Sequence, residues 1–109
     1  MNLLVKLVTT PAPLLTVTPD DEDVPSGGTS TLMWVRDTTG ADFQFSSSSV
    51  TGLPNPPFSA PSYNPTQNTI SVTDNHLGIS TQGNFNYSLS VTSGGTSYPA
   101  SERPVIVNR

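Results

Sequence analysis

Residues 83–92 read Gly-Asn-Phe-Asn-Tyr-Ser-Leu-Ser-Val-Thr, with one polar residue between each of Phe85, Tyr87, Leu89 and Val91. Successive side chains of an extended chain point to opposite faces, so a period of two specifies a strand buried on one face. A helix would spread the same four apolar side chains over opposite sides and bury none of them together. The run ends in Ser93-Gly94-Gly95-Thr96, where paired glycines supply the positive φ angles of a tight hairpin. Composition generalises the point. Serine and threonine occupy 30 of 109 positions, glycine and proline 19 more, and hydrophobic residues only 33%. A long amphipathic helix is hard to assemble from such letters. Disordered chains combine low hydrophobicity with high net charge, whereas this chain carries only −4 and orders its apolar residues in alternating runs. The length suits one domain over residues 1–109, and the pattern predicts an all-β fold without helix.

The other segments follow the same logic. Leu3, Val5 and Leu7 alternate with Leu4 and Lys6, and Leu15 to Thr18 form the next candidate, closed by Pro19. Residues 30–37 read as a strand with Leu32 and Trp34 on one face and Met33 and Val35 on the other. Apolar residues on both faces predict a central strand. Phe43 and Phe45 alternate with polar neighbours, as do Ile70 and Val72, and Val105, Ile106 and Val107 close the sequence. Between them, residues 53–65 hold 5 of the 11 prolines, which supply no ladder N–H and disfavour helix before them. This segment is expected to be a long loop, docked through Phe58 and Tyr63. About seven short antiparallel strands with turn signals between them predict a β-sandwich. Trp34, Phe43, Phe45, Val72, Tyr87, Leu89 and Val91 are its expected central core.

Charge narrows the partners. Lys6, Arg36, Arg103 and Arg109 are far apart in sequence and face eight acidic residues. Phosphate binding needs clustered cations, so nucleic acid and anionic membrane surfaces are not expected partners. No apolar run approaches the roughly 18 residues of a membrane span. The opening Met-Asn-Leu-Leu-Val-Lys-Leu-Val has too short and interrupted an apolar stretch for a signal peptide, and reads as a first strand. The absence of cysteine suits a reducing compartment without deciding one.

The 83–95 segment resembles the penultimate strand and hairpin of bacterial immunoglobulin-like domains, and Thr31-Leu32-Met33-Trp34 resembles an inward-facing tryptophan strand of such sandwiches. A cupredoxin-like sandwich would suit the same features. The resemblance implies a fold and no activity. The immunoglobulin disulfide is absent, since position 89 is leucine where the second cysteine would stand. The resemblance offers Tyr87 the role of a tyrosine corner, its hydroxyl bonded to upstream backbone; a plain core tyrosine is the alternative.

Candidate chemistry is sparse. A blue-copper site needs two histidines and a cysteine, and the chain has His76 alone and no thiol. His76 follows Asp74-Asn75 in what reads as an exposed polar turn. Asp20, Asp21 and Asp23, with Glu22 between them, are the candidate calcium ligands, and Asp74 would join them if the loops shared one end. A solvated acidic loop explains the same letters and is the favoured reading, so no cofactor is expected. No Gly-x-Ser-x-Gly, P-loop or dinucleotide glycine pattern is present. The sequence therefore predicts a non-enzymatic β-sandwich module for protein binding, assembly or structural roles. Carbohydrate recognition through Phe58 and Tyr63 is the alternative, and a small hydrolase a distant third. Residues 3–8 and 105–107, at the chain ends, are the expected sheet edges for self-association or partner docking.

Overall fold

The computed structural model describes residues 1–109 and is all-β, a multi-sheet fold consistent with a β-sandwich. Its strands are β1 (Asn2–Val8), β2 (Leu14–Thr18), β3 (Asp21–Val24), β4 (Gly28–Arg36), β5 (Val50–Thr51) and β6 (Ser62–Asn64). They continue with β7 (Thr69–His76), β8 (Gly83–Asn86), β9 (Ser88–Ser93), β10 (Thr96–Pro99) and β11 (Val105–Asn108). One 3-10 turn at Ile79–Thr81 is the sole helical element. The strands form a five-stranded sheet in the order β2-β1-β4-β7-β6 and two three-stranded ladders, β10-β9-β5 and β3-β11-β8.

The alternation places the core as expected. Eighteen buried hydrophobic residues form one cluster, and all seven expected members belong to it. β4 is central, between β1 and β7, which explains why Met33 and Val35 on its second face are only half exposed. The Gly94-Gly95 hairpin has φ of 56° and 79°, the positive angles that its pairing requires. Phe43 and Phe45 are buried without a regular ladder around them. Asn68 holds this segment with its side-chain amide, accepting from the Phe45 N–H and donating to the Phe43 carbonyl, both at 2.8 Å.

Four expectations need correction. First, the run 83–92 is two strands rather than one. Its alternation continues through Tyr87, but β8 pairs with β11 while β9 pairs with β10 and β5. The opposing chain causes the division. Five residues separate Pro99 from Val105, against three between their partners Ser90 and Asn86, so the segment 100–104 bulges out. There Ser101 donates its N–H to the Leu15 carbonyl and accepts the Leu15 N–H on its hydroxyl.

Second, the strands are not all antiparallel: β1 runs parallel to β4, and β3 parallel to β11. Third, the proline-rich segment is not wholly loop, because Ser62–Asn64 pairs with β7 between Pro61 and Pro65. Fourth, residues 3–8 and 105–107 are not sheet edges. β1 lies between β2 and β4, and β11 between β3 and β8. Leu3, Val5, Leu7 and Ile106 are fully buried, and side chains so apolar place a strand inside a sheet wherever it stands in the chain. Four of the six outermost strands carry features that oppose pairing, whereas β5 and β8 hold neither charge nor proline. β3 is acidic, β6 is bracketed by prolines, β10 ends in Pro99, and β2 lies between Pro13 and Pro19 with Ser101 against it.

Candidate functional site

His76 is not in an exposed turn. It is the last residue of β7 and fully buried, because both ring nitrogens find partners, one on Arg109 after the last strand and one in the 3-10 turn. Nε2 lies 2.6 Å from the Arg109 carbonyl, an acceptor only, so Nε2 carries hydrogen and donates. Nδ1 lies 2.6 Å from Thr81 Oγ1 in the 3-10 turn. Two residues earlier on the same inward face, Asp74 is also fully buried and accepts from Asn108 Nδ2 at 3.2 Å. The same amide nitrogen donates to the Thr81 carbonyl at 3.0 Å. Burial pushes the Asp74 carboxyl above the usual carboxylate range, with the Asn108 bond and His76 pulling the other way. A polar cluster thus ties β7, β11 and the 3-10 turn together at one pole of the molecule.

The loop on this pole is apolar outside. Leu77 is 66% exposed and Ile79 84%, the two most exposed large hydrophobic side chains in the chain. Leu4 and Leu14, on the outer face of the five-stranded sheet, are nearly half exposed. Sequence patterning did not single out Leu77 and Ile79. A signal was available, in apolar residues flanking Gly78 after a strand that ends in Asp-Asn-His.

The calcium candidates are arranged differently from the expected loop. Asp21, Glu22 and Asp23 lie in β3, where extended backbone sends Glu22 to the face opposite Asp21 and Asp23. Asp23 is 3.1 Å from an Arg109 guanidinium nitrogen. Asp20 precedes the strand, its carbonyl accepting from the Val105 N–H, and Asp74 is buried in the polar cluster. No group of three or more acidic or histidine side chains is gathered closely enough to hold a metal ion.

Phe58 and Tyr63 do not form an exposed aromatic pair. Phe58 is fully buried, its ring edge-on to Phe85 with centroids 5.1 Å apart, and its backbone bridges Asp74. Tyr63 is half-buried against the core. Phe58 is an anchor of the proline-rich segment, as a large apolar ring with nothing polar to keep it in water would be. Elsewhere, an open depression of about 630 Å³ is lined by Arg36, Thr38, Asp42, Gln44, Gln67 and Thr69. The Arg36–Asp42 ion pair, at 3.1 Å, spans it. A narrower cavity of about 230 Å³ lies between β2 and the 100–104 bulge, lined by Leu14, Val17, Ala100 and Pro104.

The chain matches no protein-family model and no curated protein.

Proposed function

We propose that the protein is a non-enzymatic, immunoglobulin-like β-sandwich module for protein binding or assembly. Strand order supports the fold reading. Taking β4, β7 and β6 as strands B, E and D, and β5, β9 and β10 as C, F and G, gives the two sheets of an immunoglobulin sandwich. β1 departs from that pattern, since it joins β4 in parallel.

One observation carries the functional reading: Leu77 and Ile79 project from a loop braced from behind by the buried His76 and its contact with the half-buried Thr81. Exposed apolar side chains on a well-held loop lose little entropy on binding, and desolvating them favours association. Charge and proline at β2, β3, β6 and β10 disfavour strand addition along those edges and make this loop the favoured contact. Sedimentation velocity over a concentration series tests assembly between copies. Association that disappears in a Leu77→Ser/Ile79→Ser variant of unchanged Tm is the expected result. A monomer at every concentration would exclude self-assembly and leave a foreign partner as the remaining form of the proposal.

The depression beside Arg36 and Asp42 supports a second reading, carbohydrate recognition, at a place different from Phe58 and Tyr63. Side-chain amides, hydroxyls and an ion pair are groups that hydrogen-bond sugar hydroxyls. Glycan-array binding lost in Gln44→Ala and Gln67→Ala variants would favour it over the assembly reading.

A further inference from the structure

Two oxygen atoms in the buried polar cluster lack a donor: Asp74 Oδ2 and Asn108 Oδ1. Asn108 spends its side-chain N–H groups on Asp74 Oδ1 and on the Thr81 carbonyl. Both partners are acceptors, which fixes the orientation of the amide, since turning it over would set its oxygen against two others. The two orphans therefore belong to two residues already joined by a hydrogen bond, and water reaches neither side chain appreciably. A buried acceptor without a donor is destabilising, and an ionised oxygen in that position is more so.

We propose that Asp74 is a carboxylic acid in the folded protein, with its proton on Oδ2 and donated to Asn108 Oδ1. The carboxyl and amide groups then face each other through two hydrogen bonds, one N–H to carboxyl oxygen and one O–H to amide oxygen. A single proton satisfies both orphans. The pair acts as a latch between β7 and the last strand, β11. Through the Thr81 carbonyl it also holds the 3-10 turn that carries Ile79.

The ionisable surroundings are few. His76 lies two residues along β7, and Arg109 follows Asn108 with its guanidinium on Asp23 of β3. Asp21 and Glu22 are the other acids on that strand. β4 places Ser30 opposite Asp74, while β8 and the turn contribute no ionisable side chain. Burial raises the Asp74 carboxyl, so the folded state binds this proton more tightly than the unfolded state does. The latch is accordingly closed at low pH and opens as pH rises through the titration of Asp74, when carboxylate and amide oxygens are left facing each other.

Carbon-detected NMR of the isotope-labelled wild-type protein tests the assignment, with the Asp74 carboxyl resonance identified by its absence in Asp74→Asn. The expected result is a resonance that keeps its protonated position after the exposed carboxylates have ionised. Titration within the ordinary carboxylate range overturns the proposal. Asp74→Asn supplies an N–H in place of the O–H and gives a second readout. The wild-type Tm should decline as pH rises through the Asp74 titration and this decline should be absent in Asp74→Asn; an unchanged pH profile would contradict the latch.

Discussion

The indole N–H of Trp34 donates to the hydroxyl of Tyr87 at 3.0 Å, and the two rings meet edge-on with centroids 5.3 Å apart. Both residues are fully buried, and the bond joins the centre of the five-stranded sheet to the point where β8 passes into β9. Tyr87 therefore does not bond upstream backbone in the manner of a tyrosine corner; its partner is the Trp34 side chain on the five-stranded sheet. Two polar atoms that apolar packing would otherwise strand are satisfied by each other.

Tyr87→Phe is expected to cost about 1–3 kcal/mol, because it leaves the Trp34 N–H buried without an acceptor. Urea unfolding gives the cost, and fluorescence of the single tryptophan reports the local change. Burial also pushes the Tyr87 hydroxyl well above the usual tyrosine range. Its neutral form is favoured by folding, so this contribution is intact below the ordinary tyrosine pKa and is lost as pH rises beyond it. Tyrosinate absorbance in alkaline titration should show one group ionising together with unfolding.

Leu89→Ala should destabilise by about 2–5 kcal/mol, the range for a large aliphatic side chain removed from a packed core. Leu89 is buried on β9 opposite Val50 in the register. A urea midpoint close to wild type would mean that the site collapses without a cavity.

Val5→Pro is expected to abolish the cooperative folding transition. Val5 is in register with Val17 on one side and Arg36 on the other, so proline there takes a backbone N–H from inside the sheet. Proline belongs on sheet edges, not between two paired strands. A variant that stayed folded and merely associated less would contradict this sheet order; circular dichroism and sedimentation together distinguish the outcomes.

Adding millimolar calcium should leave Tm unchanged, as should EDTA. Asp21 and Asp23 are exposed along an extended strand, with Asp23 already beside Arg109. Calcium needs six to eight oxygens around one point. A stabilisation that disappears in Asp21→Asn/Asp23→Asn would reveal a site assembled only on binding.

The core was legible because alternation is a local property: Leu3, Val5 and Leu7, or Tyr87, Leu89 and Val91, need no distant partner to mark their inward face. His76 and Asp74 were misread for the opposite reason. Their polarity suggests solvent, and only residues about thirty positions away, Asn108 and Arg109, remove that need. The acidic β3 was missed because four acids in succession, Asp20 to Asp23, read as a loop, although an edge strand can hold Asp21 and Asp23 toward water. Likewise, nothing within residues 3–8 records that β4 will lie alongside in parallel. The polar pole is thus a property of pairing, visible only when β11 and the 3-10 turn are in place beside β7.

The bulge at residues 100–104 has a mechanical consequence. Through Ser101 it stitches the hairpin ladder to the outermost strand of the five-stranded sheet, at one seam of the molecule. Force applied to β2 would load this stitch as well as the β1–β2 ladder, so the seam should yield in steps rather than peel from a free border.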